Sequence, residues 1–361
     1  MTGTSSAAAA TASPLDPLLP TKWRHSAASV ERFFRFVAAR QLLWSNRASG
    51  HPPPWTGDPV LRDWSFCNNY RELDRGTVYF HHRLRAAWTE AGIDDGGGDD
   101  AALRDALHRS VSYRLINRME TFEKWARHSG GSSIPSEAEY PAFKTFIFKW
   151  RTRIDGKKTV EKISTPKHQC GSTTLYGQTM GALRRDLPGY CKRLRAAGTD
   201  HSRAHKELMK LPGVGDFFAW QVLCDLIECR TVPTNPAAGG WCAPGPGARA
   251  GLEKIFGKAV VPVEGKGAAV VSARVECCRV LAEMHRPAMA ALGVEFEFIN
   301  GRSLSVKNIE HCLCEFVKYL AKRARTRYTS PAQDSGDRGQ RAALRASMPD
   351  PHDRAAIAKL F

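Results

Sequence analysis

The chain has 361 residues, 42% hydrophobic and 25% charged, the proportions of a folded globular protein and not of a disordered one. Its 53 Lys and Arg outweigh 36 Asp and Glu, and a formal net charge of +17 attracts polyanions, nucleic acid first among them. No apolar run approaches the roughly 20 residues that span a bilayer, so no membrane partner is expected. The ten cysteines form no C-x-x-C pair, which argues against a zinc ribbon or a thioredoxin-type site.

In chain order, "MTGTSSAAAATASPLDPLLP" (1–20) reads as a disordered tail, without the basic start and long apolar core of a secretory signal. The fold is expected to begin near Thr21. "SVERFFRFVAARQLLW" places Val30, Phe33, Phe34 and Val37 on one helical face, and the prolines of "GHPPPW" stop that helix. Asp58-Pro59 supplies N-cap and N1 residue types for a helix predicted through "PVLRDWSFCNNYREL". Another helix carries "TVYFHHRLRAAW", and "DDGGGDDA" (94–101) is loop by composition.

Helical segments follow over 102–128, 135–154 and 164–198, and again in "VVSARVECCRVLAEMHRPAMAAL". "VEFEFIN" has the alternation of a short strand, and "SVKNIEHCLCEFVKYLAKRAR" is a strongly periodic closing helix. Residues 328–361 read as a polar, flexible tail. The predicted fold is all-α, a single large helical domain over 21–327 with at most a small strand element.

Within it, "LPGVG" (211–215) precedes the apolar helix "DFFAWQVLCDL". Gly213 and Gly215 permit a tight turn and close approach, and the first N–H groups of the next helix could receive a DNA phosphate. Gly213, Val214 and Gly215 are therefore candidate nucleic-acid contacts; the alternative is a plain corner between two core helices. The basic run from Lys144 to Lys167, Lys157 and Lys158 included, suits sequence-independent contacts to phosphates.

In "FCNNYRELDR", Asn68, Asn69, Tyr70, Arg71, Asp74 and Arg75 lie within one short segment. A half-buried polar cluster must be hydrogen-bonded, so it is either a structural network or a site. As a site, the asparagines would read a base edge, Tyr70 would stack and Arg71 would clamp a phosphate. "GPGARAGL" could cradle a phosphate through Gly245, Gly247 and Arg249, with Trp241 as a stacking ring, or be an ordinary loop. In the closing helix His311, Glu315, Lys318 and Lys322 form one polar stripe, a pattern usual for a solvated face. The acids open to a catalytic role are Asp74, Asp225 and Glu315. No cofactor is evident and no metal site is expected, since the side chains of "HCLC" (311–314) would diverge on a helix. There is no G-x-x-x-x-G-K-[ST] phosphate loop and hence no sign of kinase activity.

"LPGVG" with its apolar helix resembles the helix-hairpin-helix of the base-excision DNA glycosylases. That resemblance implies an acid about twenty residues further on, where "TVPTNP" instead carries Thr234 and Asn235. Three further stretches, "PWTGDPVLRDWSFCNNYRELDR", "GPGARAGL" and "IEHCLCEFVKYL", join the hairpin over roughly residues 30–322. Together they resemble the helical-domain family of the 5-hydroxymethyldeoxyuridine (5-hmdU) DNA kinases, related to the alpha-glutamyl/putrescinyl thymine pyrophosphorylases. The resemblance implies a glycosylase-like helical fold that acts on, or presents, modified thymine bases during DNA hypermodification. Duplex DNA with a modified or flipped base is then the expected partner, alongside a separate kinase or transferase. A non-catalytic DNA-binding module and a base-excision glycosylase are the alternatives. The basic "KRARTR" makes a nucleus plausible in a eukaryote and fixes no compartment.

Overall fold

A computed structural model describes residues 13–94, 100–152, 173–234, 240–261 and 267–324. Thirteen α-helices make up most of the described chain. They are α1 (Ala27–Ala48), α2 (Pro59–Asp63), α3 (Arg75–Ala91), α4 (Asp100–Ile116), α5 (Met119–Ser129), α6 (Tyr140–Thr152) and α7 (Thr173–Arg185), followed by α8 (Leu187–Ala197), α9 (His201–Leu208), α10 (Asp216–Glu228), α11 (Pro246–Phe256), α12 (Ala268–Ala291) and α13 (Val306–Arg323). No strand occurs among the described residues, so the fold is all-α. None of these helices is long and apolar enough to cross a membrane.

Helix α4 shows how the sequence dictates its own position. Leu103, Leu107 and Val111 are buried, and so are His108, Arg109, Ser110, Ser112 and Arg114. A helix with almost no polar outer face has to lie between neighbours, and α4 packs against α3, α7, α8 and α10. Several of its polar side chains find partners inside the protein: Arg109 Nε donates to Asp105 at 2.7 Å, and Ser110 Oγ donates to Asp225 at 2.7 Å. Beside it, α5 and α6 meet through rings, Phe122 and Phe143 stacking at 5.6 Å.

The second packing theme is the approach of α11 to α13. Gly247 and Gly251 face α13, and a Cβ on Gly251 would lie 2.7 Å from the Leu313 carbonyl oxygen. Only residues without a side chain allow helices so close. Helices α1 and α12 complete this group.

Three expectations change. Residues 13–20, assigned to a tail, are packed: Leu15 and Leu19 are buried in the core. "VEFEFIN" is not a strand. With no strand to pair with, its alternating aromatics dock on α12, Phe296 and Phe298 lying 4.4 and 5.3 Å from the His285 ring. The helix opened by Asp58-Pro59 ends at Asp63, and its predicted continuation is extended chain up to a single turn at Arg71–Leu73.

Candidate functional site

That extended chain is the wall of a cleft of about 940 Å³. Helix α2 starts as its residue types predict: the Asp58 carboxylate accepts from the Val60 and Leu61 N–H groups at 2.8 and 3.0 Å. Beyond Trp64 the backbone groups that a longer helix would use are taken by side chains, three of them from distant elements and one from Asp74 at the end of the same loop. Lys318 Nζ bonds the Ser65 carbonyl and Arg40 Nη2 the Cys67 carbonyl. The Cys67 N–H donates to Glu315 Oε2 at 3.1 Å, and the Asn68 N–H to Asp74 Oδ1 at 2.9 Å. Backbone groups need partners, and these four bonds stand in for those of the helical ladder.

The cleft opens beside this loop, between the start of α3, the end of α4 and one face of α13. Arg40, Arg47, Arg62, Arg71, Arg75 and Arg114 line it against Asp63 and Asp74, an excess of positive charge that the pairing of Arg71 with Glu228 and of Arg114 with Asp225 reduces. At its mouth Trp64 is 47% exposed, with Lys322 Nζ 3.4 Å from its ring centroid, and Arg47 lies over Trp55. Deeper in, His311 Nε2 is 2.8 Å from Asp74 Oδ2. Arg71 donates to Gln221 Oε1 at 2.7 Å, with its Nε 3.8 Å from Glu228 Oε1.

Glu228, beside Arg71, lines a second cavity of about 680 Å³ together with Tyr70, Trp220, Trp241 and Lys307. Lys307 Nζ is 2.5 Å from Glu228 Oε1, and His81 Nε2 is 3.3 Å from Oε2. Burial works against the Glu228 charge, but Lys307, His81 and Arg71 outweigh it and hold the carboxyl well below its ordinary range. Burial likewise opposes the Lys307 ammonium; Glu228 and Glu72 overcome it and raise its pKa to about 12.

The structure thus brings Asn68, Arg71, Asp74 and Arg75 together in one cleft. Asn69 is elsewhere, donating to the Val37 carbonyl at 2.7 Å inside the core. Tyr70 is also core: its hydroxyl donates to the Arg302 carbonyl at 2.6 Å, and burial pushes its pKa up. Trp241 packs edge-on against Trp220 at 5.6 Å, beside the second cavity. Asp225 is wholly buried, bound by Arg114 Nε at 2.7 Å and by Ser110, and has no route to a substrate. Glu315 is buried and spent on the Cys67 amide, and Lys318 rests over the Phe66 ring at 4.6 Å.

In the Gly-Pro-Gly turn, groups expected to hold a phosphate have partners within the protein. The Gly245 N–H donates to Glu310 Oε1 at 3.1 Å, Gly247 faces Cys314, and Arg249 Nε donates to the Pro244 carbonyl at 2.8 Å. Burial raises the pKa of Glu310, and the bonds from Gly245 and Trp220 moderate that. In the 211–215 corner Gly213 and Gly215 are exposed, Val214 is buried, and Gly213 adopts φ +74°. Lys157 and Lys158 lie outside the described residues. His311, Gln221, Arg114, Trp55 and Trp64 were not singled out as site residues by sequence reasoning. The one available signal was the spacing of His311, Glu315 and Lys318, a stripe that faces the 65–74 loop instead of solvent.

A helical domain with an arginine-lined cleft walled by one extended loop is the class that the fold and site define. The family model for the 5-hmdU DNA kinase helical domain matches residues 27–328, and the chain belongs to that family. A 5-hmdU DNA kinase from Bacillus phage SP10 is 21% identical over 312 residues, 80% of this chain and 44% of the phage protein. The chain therefore spans less than half the length of that relative. No solved structure matches.

Proposed function

We propose that this protein binds DNA and receives a 5-hydroxymethyluracil-type base in the arginine-lined cleft, to act on it or present it during base hypermodification. The observation that carries this reading is the cleft itself: an arginine-lined cavity with the exposed Trp64 and the half-buried Trp55 beside it and the Asp74–His311 pair within. Arginines suit the sugar–phosphate chain, aromatic rings suit an unstacked base, and the polar Asn68 and Gln221 side chains suit hydrogen bonds to the base and its hydroxymethyl group. Gly213 and Gly215, exposed at the start of α10 where no side chain caps the helix, offer a second phosphate contact, in the manner of a helix-hairpin-helix. The longer phage relative supports a division of labour in which a separate kinase or transferase acts on the same base.

The test is fluorescence anisotropy with duplexes that differ only in thymine or 5-hydroxymethyluracil, repeated across salt concentrations. Binding that weakens steeply with salt and favours the modified duplex supports the reading. Salt-independent binding, or none, would end it. Nucleoside mass spectrometry after incubation with candidate donors separates an acting protein from a presenting one, and free base released would favour a glycosylase.

A further inference from the structure

The 65–74 loop, the start of α3 and the middle of α13 bring three different donors to one point. The Cys67 thiol, an Asp74 carboxylate oxygen and a His311 ring nitrogen all lie within 4.8 Å of one another. We propose that Cys67, Asp74 and His311 form a binding site for one divalent transition-metal ion of the zinc class. The inference concerns the same cleft as the DNA reading but does not rest on it, because it is tested without nucleic acid.

The donor set selects the ion. Thiolate and imidazole favour zinc or cobalt over magnesium or calcium, which prefer oxygen alone. In a tetrahedral site with bonds of about 2.0–2.3 Å, ligand atoms stand about 3.3–3.8 Å apart, so these three need only small shifts. His311 Nε2 adds a second observation. It is buried and has no hydrogen-bond partner, although Asp74 Oδ2 is 2.8 Å away. A ring nitrogen beside a carboxylate oxygen, but not aligned for a hydrogen bond with it, suits two donors directed at a common third atom.

The surroundings are those of a supported site. Asp74 Oδ1 is occupied by the Asn68 N–H at 2.9 Å, which leaves Oδ2 towards His311. The loop carrying Cys67 is held on both sides of the thiol, by Arg40 at its carbonyl and Glu315 at its amide. Arg40 and Lys318 are engaged with backbone carbonyls, while the thiolate and Asp74 supply two negative charges to balance the ion. All three ligands line the cleft, so the fourth position faces it and takes water or a substrate oxygen. The other cluster of suitable residues, His81, Asp225 and Glu228, differs: Arg114 and Lys307 already neutralise its carboxylates.

The experiment is a cobalt(II) titration of the full chain after chelator treatment, followed by absorption. One equivalent should produce visible d–d bands and a near-ultraviolet thiolate-to-cobalt charge-transfer band, and zinc should displace both. Cys67→Ser should lose the charge-transfer band, while Cys314→Ser, whose thiol packs beside Gly247, should keep it. Asp74→Asn and His311→Gln should weaken binding at least tenfold while far-ultraviolet circular dichroism stays that of the parent. A parent protein with no charge-transfer band, or a band that survives Cys67→Ser, overturns the proposal.

Discussion

Asp225→Asn separates a structural acid from a catalytic one. The Asp225 carboxylate has no solvent exposure; Arg114 Nε donates to it at 2.7 Å, a second guanidinium nitrogen bonds its other oxygen, and Ser110 Oγ adds a third bond. The Arg114 side chain is itself only 8% exposed. Asparagine keeps one oxygen acceptor but removes the charge, so a buried guanidinium is left without its counter-ion. Breaking a buried pair from one side costs about 3–5 kcal/mol, and the retained acceptor places this variant near the lower figure. At roughly 2 °C per kcal/mol for a domain of this size, the midpoint should fall by about 6 °C. Urea denaturation followed by circular dichroism measures the free energy, and the slope reports whether unfolding stays cooperative. Replacing both partners, Arg114→Met with Asp225→Leu, should recover most of the loss, since paired hydrophobic replacement of a buried ion pair is often near neutral. A single variant within 1 kcal/mol of the parent, or a double variant no better than the single, would refute the reasoning.

Gly215→Asp should fold normally, because a Cβ there meets nothing within 4 Å and aspartate is a good N-cap. Its carboxylate would occupy the place proposed for a phosphate, so DNA affinity by anisotropy should drop severalfold with unchanged melting. Gly251→Ala should cost about 2 kcal/mol or more in thermal unfolding, since its methyl would strike the Leu313 backbone; a neutral result would mean that α11 and α13 are not so close. His285 Nδ1 accepts the Leu304 N–H at 3.1 Å, and burial lowers its pKa to about 3. The unfolded chain protonates this ring first, so stability should fall as pH drops below about 6.5, by about 2 kcal/mol at pH 5. His285→Gln should remove that share of the fall and leave the share of His108, whose pKa burial likewise lowers to about 3. Glu228→Gln should remove the counter-ion of Lys307 and Arg71 and be destabilising at neutral pH. In the parent, the Glu228 contribution is present above the unfolded carboxyl pKa and fades in acid. That fading should be absent from the variant in urea melts taken from pH 7 downward.

The periodic helices were legible because their apolar spacing is local: α1, α3, α10 and α13 follow from it, and Asp58-Pro59 marked the start of α2. The 64–70 loop was not legible, because "DWSFCNNYREL" has helix-compatible residues and the competitors for its backbone lie far off. Glu315, which takes the Cys67 amide, is 248 residues away in sequence. The same distance hid His311, whose meeting with Asp74 exists only after folding. Asn69 and Tyr70 misled for the opposite reason: polar groups next to true cleft residues are as easily turned inward to bond Val37 and Arg302. The Gly-Pro-Gly turn suggested a ligand, yet its glycines answer to α13.

That last contact reaches further than packing. A slide of α13 by one turn would carry His311, Glu315 and Lys318 about 5.4 Å along the axis, out of step with the loop they grip. The detent against such a slip is the pair of missing side chains at Gly247 and Gly251, on the opposite flank of the helix. The geometry of this cleft is thus indexed by two residues that never see it, much as a key's cut is set by the shoulder that stops it in the lock.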